Sequence, residues 1–205
     1  MKIEAIVFDL GGVLINLDFT KTAKAFEALG VKNFDDYFTQ FHAHPLFKQL
    51  EVGNVIGNDF YDELRRTAEI EASNEEIDKA WNAMLLDFPK NRIEKLAQLK
   101  KDYRLFLFSN TNAIHHAAFH TIFRNEFGYH FDELFEKAWY SHLIEQRKPD
   151  QQAFEYIIRD ADLNAGATLF LDDTFPNIDA AKRAGLQAAL VTKEDDVVRL
   201  LDQRL

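Results

Sequence analysis

Four polar clusters carry the residues whose types and spacing suit chemistry, and each falls at a strand end or in a connecting loop. Asp9 closes the apolar run at residues 3–8 and is followed by Leu10-Gly11-Gly12. A carboxylate at the carboxyl edge of such a strand sits where α/β proteins place ligands, and two glycines let the backbone approach one closely. The same residues also fit an ordinary strand-terminating turn. Ser109-Asn110-Thr111-Asn112 follow the run at 105–108. They offer hydroxyl, amide and backbone N–H donors for the oxygens of an anion, or, equally, a helix start capped by Ser109 or Thr111. Lys148 precedes Pro149, which keeps it extended and in a loop, where its ammonium acts as a point charge between a phosphate and a carboxylate or is simply solvated. Asp172 and Asp173 end the run at 168–171. Adjacent carboxylates repel each other unless a cation offsets them, and oxygen ligands of this kind suit Mg²⁺. One of the pair capping a helix, with the other in water, explains them as well.

The elements that must position these groups follow from periodicity. Near-continuous apolar runs at 3–8, 105–108, 137–140, 168–171 and 188–191 read as strands covered on both faces. Helical spacing lies between them: Ile93, Leu96 and Ala97 after an Asn91…Glu94 capping box, then Phe154, Ile157, Ile158 and Ala161 after Pro149-Asp150. Pro176 and Gly185 bracket a further short helix. Alternating strand and helix predicts an open parallel α/β sheet. Residues 16–88 break that alternation with helical periodicity only. Phe34, Tyr37, Phe38 and Phe41 recur at i, i+3, i+4 and i+7, and Ile77, Trp81, Met84 and Leu85 repeat the device after a Ser73…Glu76 capping box. Gly53 and Gly57 mark a connection between helices. The reading is a helical cap at 16–88 inserted into a core formed by 1–15 and 89–205.

Composition narrows the function. The chain has 205 residues, no cysteine, and 34 acidic against 24 basic side chains for a formal charge of −10. Disulfide frameworks, zinc fingers and thiol nucleophiles are excluded, and the acidic balance argues against a nucleic-acid or anionic-membrane surface. No run approaches the roughly 18 apolar residues of a membrane span, and Glu4 interrupts the start where a signal peptide is apolar; a cytoplasmic protein is the expectation. The 19 phenylalanines divide between the sheet (Phe8, Phe106, Phe108, Phe170) and the core of the insertion (Phe34, Phe38, Phe41, Phe60).

The order Asp9, Ser109-Asn110, Lys148-Pro149, Asp172-Asp173, with a helical insertion after the first, resembles the haloacid dehalogenase superfamily over the whole chain. Phe8-Asp9-Leu10-Gly11 is similar to its phosphatase branch, which includes sugar-1-phosphate phosphatases. The resemblance implies a Rossmann-like sheet with the first and fourth strands adjacent, and Mg²⁺-dependent hydrolysis of a small phosphorylated metabolite, a sugar phosphate. Asp9 would be the nucleophile and form an aspartyl phosphate. Ser109, Asn110 and Lys148, with Gly11 and Gly12, would bind the phosphoryl oxygens. Asp9, the Gly11 carbonyl and Asp173 would hold the metal, with Asp172 as a second ligand or on the metal's water. One departure matters. The family's acid–base aspartate two positions after the nucleophile is here Gly11, and such assistance is typically worth about 10²–10⁴-fold. Asp18, His42 or His44 would then substitute, or the leaving group needs little protonation, so that p-nitrophenyl phosphate is cleaved faster than glycerol phosphate. A metal-independent haloacid dehalogenase and a catalytically weakened binding protein are the alternatives. His116 and His120, at i and i+4, have a spacing that also serves zinc, but no accompanying Cys or His-Glu-x-x-His pattern supports such a site; His115, nearest the Ser-Asn turn, reads either as lining the mouth of the site or, as the favoured expectation, as helix surface.

Overall fold

Along the chain, β1 (Ala5–Phe8) leads into α1 (Phe19–Ala28), α2 (Pro45–Glu51), α3 (Asn58–Ala68) and α4 (Asn74–Asn82). Then follow α5 (Lys90–Leu99), β2 (Arg104–Ser109), α6 (Ala113–Phe127), β3 (Lys137–Tyr140), α7 (Ser141–Ile144), α8 (Gln151–Asp160), β4 (Thr168–Asp172), α9 (Phe175–Arg183), β5 (Gln187–Leu190) and α10 (Val197–Arg204). This is a computed structural model that describes residues 2–40, 42–193 and 196–205. The strands form one parallel sheet in the order β3-β2-β1-β4-β5. All five expected strands are present, with ends shifted by no more than two residues.

Continuous apolar runs are explained by what covers the sheet. Successive side chains point to opposite faces. Ile6, Phe8, Leu105, Leu107, Leu169 and Leu171 enter a core closed by α5, α6 and α10. Val7, Phe106, Phe108 and Phe170 enter a second core closed by α8 and α9. The register pairs Phe8 with both Leu107 and Leu171, so the residues that follow these strands emerge at one edge.

Helices α1–α4 share a third apolar cluster around Phe26, Phe34, Phe47, Phe60 and Trp81. The chain enters and leaves this insertion side by side: Asn16 N donates to the Asp87 carbonyl at 2.9 Å, and Leu17 bridges Leu85 antiparallel. The Ser73…Glu76 capping box forms as expected, and Gly53 and Gly57 lie in the connection from α2 to α3 with positive φ. Three local expectations need correction. Phe34, Tyr37 and Phe38 are not on an α-helix: a single 3₁₀ turn, Phe34–Asp36, is followed by a Phe38–Ala43 bridge, and Phe41 lies outside the described residues. Asp, Tyr, Phe, Thr and His are weak helix formers, so the apolar spacing is met by a turn that still buries Phe34. Asn91 and Glu94 form no capping box, because α5 starts two residues earlier, at Lys90 behind Pro89. Asn112, not Ser109 or Thr111, caps α6, accepting from Ile114 N and His115 N.

Candidate active site

Asp9 follows β1, Ser109 ends β2, and Asp172 ends β4 with Asp173 after it. Parallel pairing of the three strands therefore delivers their carboxylates and hydroxyl to the same edge of the sheet. Lys148 comes from the loop between α7 and α8 and is buried. Its Nζ lies 2.6 Å from Asp9 Oδ1 and 2.8 Å from Asp172 Oδ2, with the Phe108 and Phe170 rings each 5.4 Å away. The loop is held from behind by Asn110, whose Oδ1 accepts from Lys148 N at 2.9 Å and whose Nδ2 donates to the Lys148 carbonyl at 2.8 Å. Asn110, expected to face the substrate, is thus occupied with the Lys148 main chain.

Burial and mutual repulsion dominate the electrostatics. Burial, together with Asp172 and Asp173, pushes the Asp9 carboxyl up to about 7 against the pull of Lys148. Burial and Asp172 raise Asp173 to about 6. Burial alone lowers a lysine, but the attraction of Asp172 and Asp9 outweighs it and the Lys148 ammonium is held above its ordinary range.

The two acidic neighbours are not equivalent. Asp172 is fully enclosed: Oδ1 accepts from Thr174 N and Oγ1 and from Asn177 Nδ2, and Oδ2 accepts from Lys148 and Asn177. Asp173 is half-buried and accepts from Gln40 Nε2, 2.8 Å away in the insertion. Asp9, Asp172 and Asp173 present oxygens within 4.8 Å of one another, a donor set of hard oxygens that fits Mg²⁺. Gly12, expected to contact substrate, does not line the cavity; it adopts φ +70, and a Cβ there would come within 2.4 Å of Asp173 Oδ2. Its lack of a side chain makes room for that carboxylate.

A cavity of about 430 Å³ opens above these groups and is shared by core and insertion. Asp9, Gly11, Ser109, Asn110, Lys148 and Asp173 line it, and Ser109 Oγ makes a long 3.4 Å hydrogen bond to the Asn110 carbonyl. Of the three candidate substitutes for an acid at position 11, only His42 lines this cavity. Asp18 caps α1 through Thr20, which lowers its carboxyl, and His44 caps α2 through Nδ1. His115, expected at the helix surface, is buried and lines the cavity. Burial pushes it down to about 4, with Nε2 on the Trp81 carbonyl and Nδ1 beside Asn112. His116 and His120 are close, 4.4 Å between ring centroids, but belong to no metal-ligand group among the described residues. Sequence reasoning missed Thr174 and Asn177, whose signal is a polar pair in the first turn after a strand-ending carboxylate. It also missed Gln40 and the Glu51–Arg147 ion pair (2.8 Å), for which sequence carries no signal, since each joins the insertion to the core.

Residues 3–185 match the model of the haloacid dehalogenase-like hydrolases. The chain is 30% identical over 186 residues to D-ribitol-5-phosphate phosphatase of Bacteroides thetaiotaomicron, covering 90% of each. It is 28% identical over 185 residues to the sesquiterpene phosphatase astK of Aspergillus oryzae, covering 89% of this chain and 87% of the relative. Among solved structures, a HAD family enzyme from Bacteroides thetaiotaomicron in complex with magnesium and inorganic phosphate superposes with a TM-score of 0.87 at 31% identity, covering 97% and 98% of the two chains. By sequence and by fold, this chain belongs to the haloacid dehalogenase-like hydrolase family.

Proposed function

We propose that the protein is a Mg²⁺-dependent phosphatase that hydrolyses a small phosphorylated metabolite through an aspartyl phosphate on Asp9. The observation that carries this reading is the buried ammonium of Lys148 between Asp9 and Asp172, next to the more exposed carboxylate of Asp173. A site that concentrates three carboxylates around one lysine is built for an anion only if a further cation joins it. Mg²⁺ supplies that charge, neutralising phosphoryl oxygens so that an anionic nucleophile can approach. Asp9 and Asp173, with the Gly11 carbonyl, are the proposed ligands, while the saturated Asp172 holds Lys148, Thr174 and Asn177.

In the first step an Asp9 carboxylate oxygen attacks phosphorus in line, the phosphorus–oxygen bond to the leaving alcohol breaks, and its electron pair leaves with that oxygen. Lys148 and the Ser109 hydroxyl stabilise the oxygens of the transferred group. Water then attacks the aspartyl phosphate, releasing phosphate and restoring Asp9. The insertion at 16–88 acts as a cap that closes the cavity and excludes water. The two relatives named above act on a polyol phosphate and a sesquiterpene phosphate by name, so the phosphoryl chemistry is shared while the alcohol differs. The test is phosphate release from p-nitrophenyl phosphate with Mg²⁺. EDTA and the Asp9→Asn variant are each expected to reduce the rate at least about 10³-fold. An Asp9→Asn enzyme as fast as wild type would exclude the nucleophile, and chloride release from a 2-haloacid under EDTA would favour the dehalogenase alternative.

A further inference from the structure

Position 11 decides how the leaving group is treated. Gly11 is two residues beyond Asp9, and a Cβ built on it would lie 2.7 Å from Leu17 Cδ1. The direction in which a side chain at 11 would project is thus filled by a leucine of the insertion. The main chain at Leu17 is held in place. It is bridged to Leu85, and its neighbours are pinned by Asn16 N on the Asp87 carbonyl at 2.9 Å, Leu86 N on the Asn16 carbonyl at 3.0 Å and Asp18 N on the Met84 carbonyl at 2.9 Å.

The wall continues in the same chemistry. Leu17, Phe19, Phe38, Trp81, Met84 and Leu85, all from the insertion, line the cavity. Phe38 stands edge-on to Trp81 with centroids 4.7 Å apart and stacks at 6.3 Å on Phe19. Several polar side chains around them are engaged: Gln40 with Asp173, Arg147 with Glu51, Asn110 with the Lys148 main chain, and His115 with Asn112 and the Trp81 carbonyl; Lys48 also lines the cavity. His42 lines the cavity, with Nε2 on the Asp36 carbonyl.

We propose, building on the phosphatase reading above, that Leu17 and this aromatic wall select phosphate esters of phenols, so that the substrate class is an aryl phosphate. Without an acid at position 11 the leaving oxygen departs as an anion, so the acidity of the leaving alcohol sets how easily it leaves. A phenol, with an acidity near tyrosine's (about 10), leaves without a proton, whereas a simple alkanol is closer to water (about 15.7). A flat aromatic leaving group also meets the partly exposed rings of Phe19 and Phe38, with Trp81 packed behind Phe38, in the offset and edge-on geometries that rings prefer. One chemistry therefore accounts for both the missing carboxylate at 11 and the wall. It differs from the sugar phosphate that the family resemblance implies.

The experiment compares kcat/KM with Mg²⁺ for phenyl phosphate, cyclohexyl phosphate and glycerol phosphate, alongside Asp9→Asn. Phenyl phosphate is expected to exceed each of the other two by at least about 100-fold, the scale of missing acid assistance. In the double variant Gly11→Asp, Leu17→Ala, the ratio of cyclohexyl to phenyl phosphate hydrolysis should rise at least about tenfold. Equal or faster release from cyclohexyl or glycerol phosphate in wild type overturns the aryl assignment and leaves the phosphatase reading intact. No release from any of the three above the Asp9→Asn background overturns the phosphatase reading itself. The wild-type comparison decides the matter even where the double variant does not fold.

Discussion

Lys148 is held by its side chain and its main chain at once, and this makes it the residue on which the site turns. Two carboxylates accept from Nζ, two phenylalanine rings flank it, and Asn110 fixes its backbone on both sides. A buried charge is strongly destabilising when one partner is removed, by about 3–5 kcal/mol, whereas replacing the whole pair by apolar groups costs far less. Asp172→Asn should accordingly lower stability by about 3 kcal/mol, a Tm decrease of roughly 6–12 °C for a chain of this size, and reduce activity at least about 100-fold. Adding Lys148→Met should recover part of the stability and none of the activity. A Tm for Asp172→Asn within a degree of wild type would show that Asp172 does not hold the lysine. Asp9, Lys148 and the Asp172-Asp173 pair were legible in the sequence because each ends or follows a recognisable element. The division of labour within the pair was not, since it depends on which carboxylate Thr174, Asn177 and Lys148 reach.

At the scale of elements, the insertion meets the core through a few contacts that local rules do not encode. Gly53, after α2, adopts φ +74, and a Cβ there would come within 2.5 Å of the His142 carbonyl in α7. Gly57 adopts φ +55 with nothing within 4 Å. Both glycines have positive φ, and Gly57 combines it with ψ −135, a conformation side chains avoid, so Gly57→Ala should cost about 1–3 kcal/mol from backbone strain alone. Gly53→Ala adds a collision with main-chain atoms and should cost clearly more. Urea unfolding midpoints of the two variants check this, and equal losses would mean that the α2–α7 approach is not tight. Both glycines were visible as loop punctuation. Which of them touches the core was not, because His142 is remote in sequence. The 34–38 segment shows the converse: i, i+3, i+4 spacing of aromatics was satisfied by a turn, since burial of Phe34 and Phe38 requires contact with Trp81 and Phe47, not a helix.

For the molecule as a whole, four buried or half-buried histidines couple stability to pH. Burial first, and neighbouring positive charge second, pushes His116 down to about 4; burial does the same to His115 and lowers His120 and His142. The unfolded chain takes up these protons near 6.5 while the folded one resists them until about 4. Their contribution is complete above 6.5 and is lost as pH falls through that window. Asp9 and Asp173, raised to about 7 and about 6, act in the opposite sense. A comparison of variants separates the two: His115→Gln should make the fall in Tm from pH 7 to pH 5 shallower, removing on the order of 3 kcal/mol of pH-dependent stability over the full window. Identical slopes would show that His115 titrates normally.

The sequence by itself determined the parallel sheet, its five strands, the helical insertion and the identities of the charged groups at the sheet edge. Those features are local, because a strand buried on both faces and a polar residue at its end are written in consecutive positions. Only the tertiary structure decided that Asn110 serves the Lys148 backbone, that Gly12 makes room for Asp173, that His115 is buried and that Leu17 fills the space beside Gly11. Each of these joins residues from different elements, and the insertion's wall in particular arises from packing between segments far apart in sequence. The period of a helix tells which residues share a face; the docking of that face against a remote element determines what it becomes.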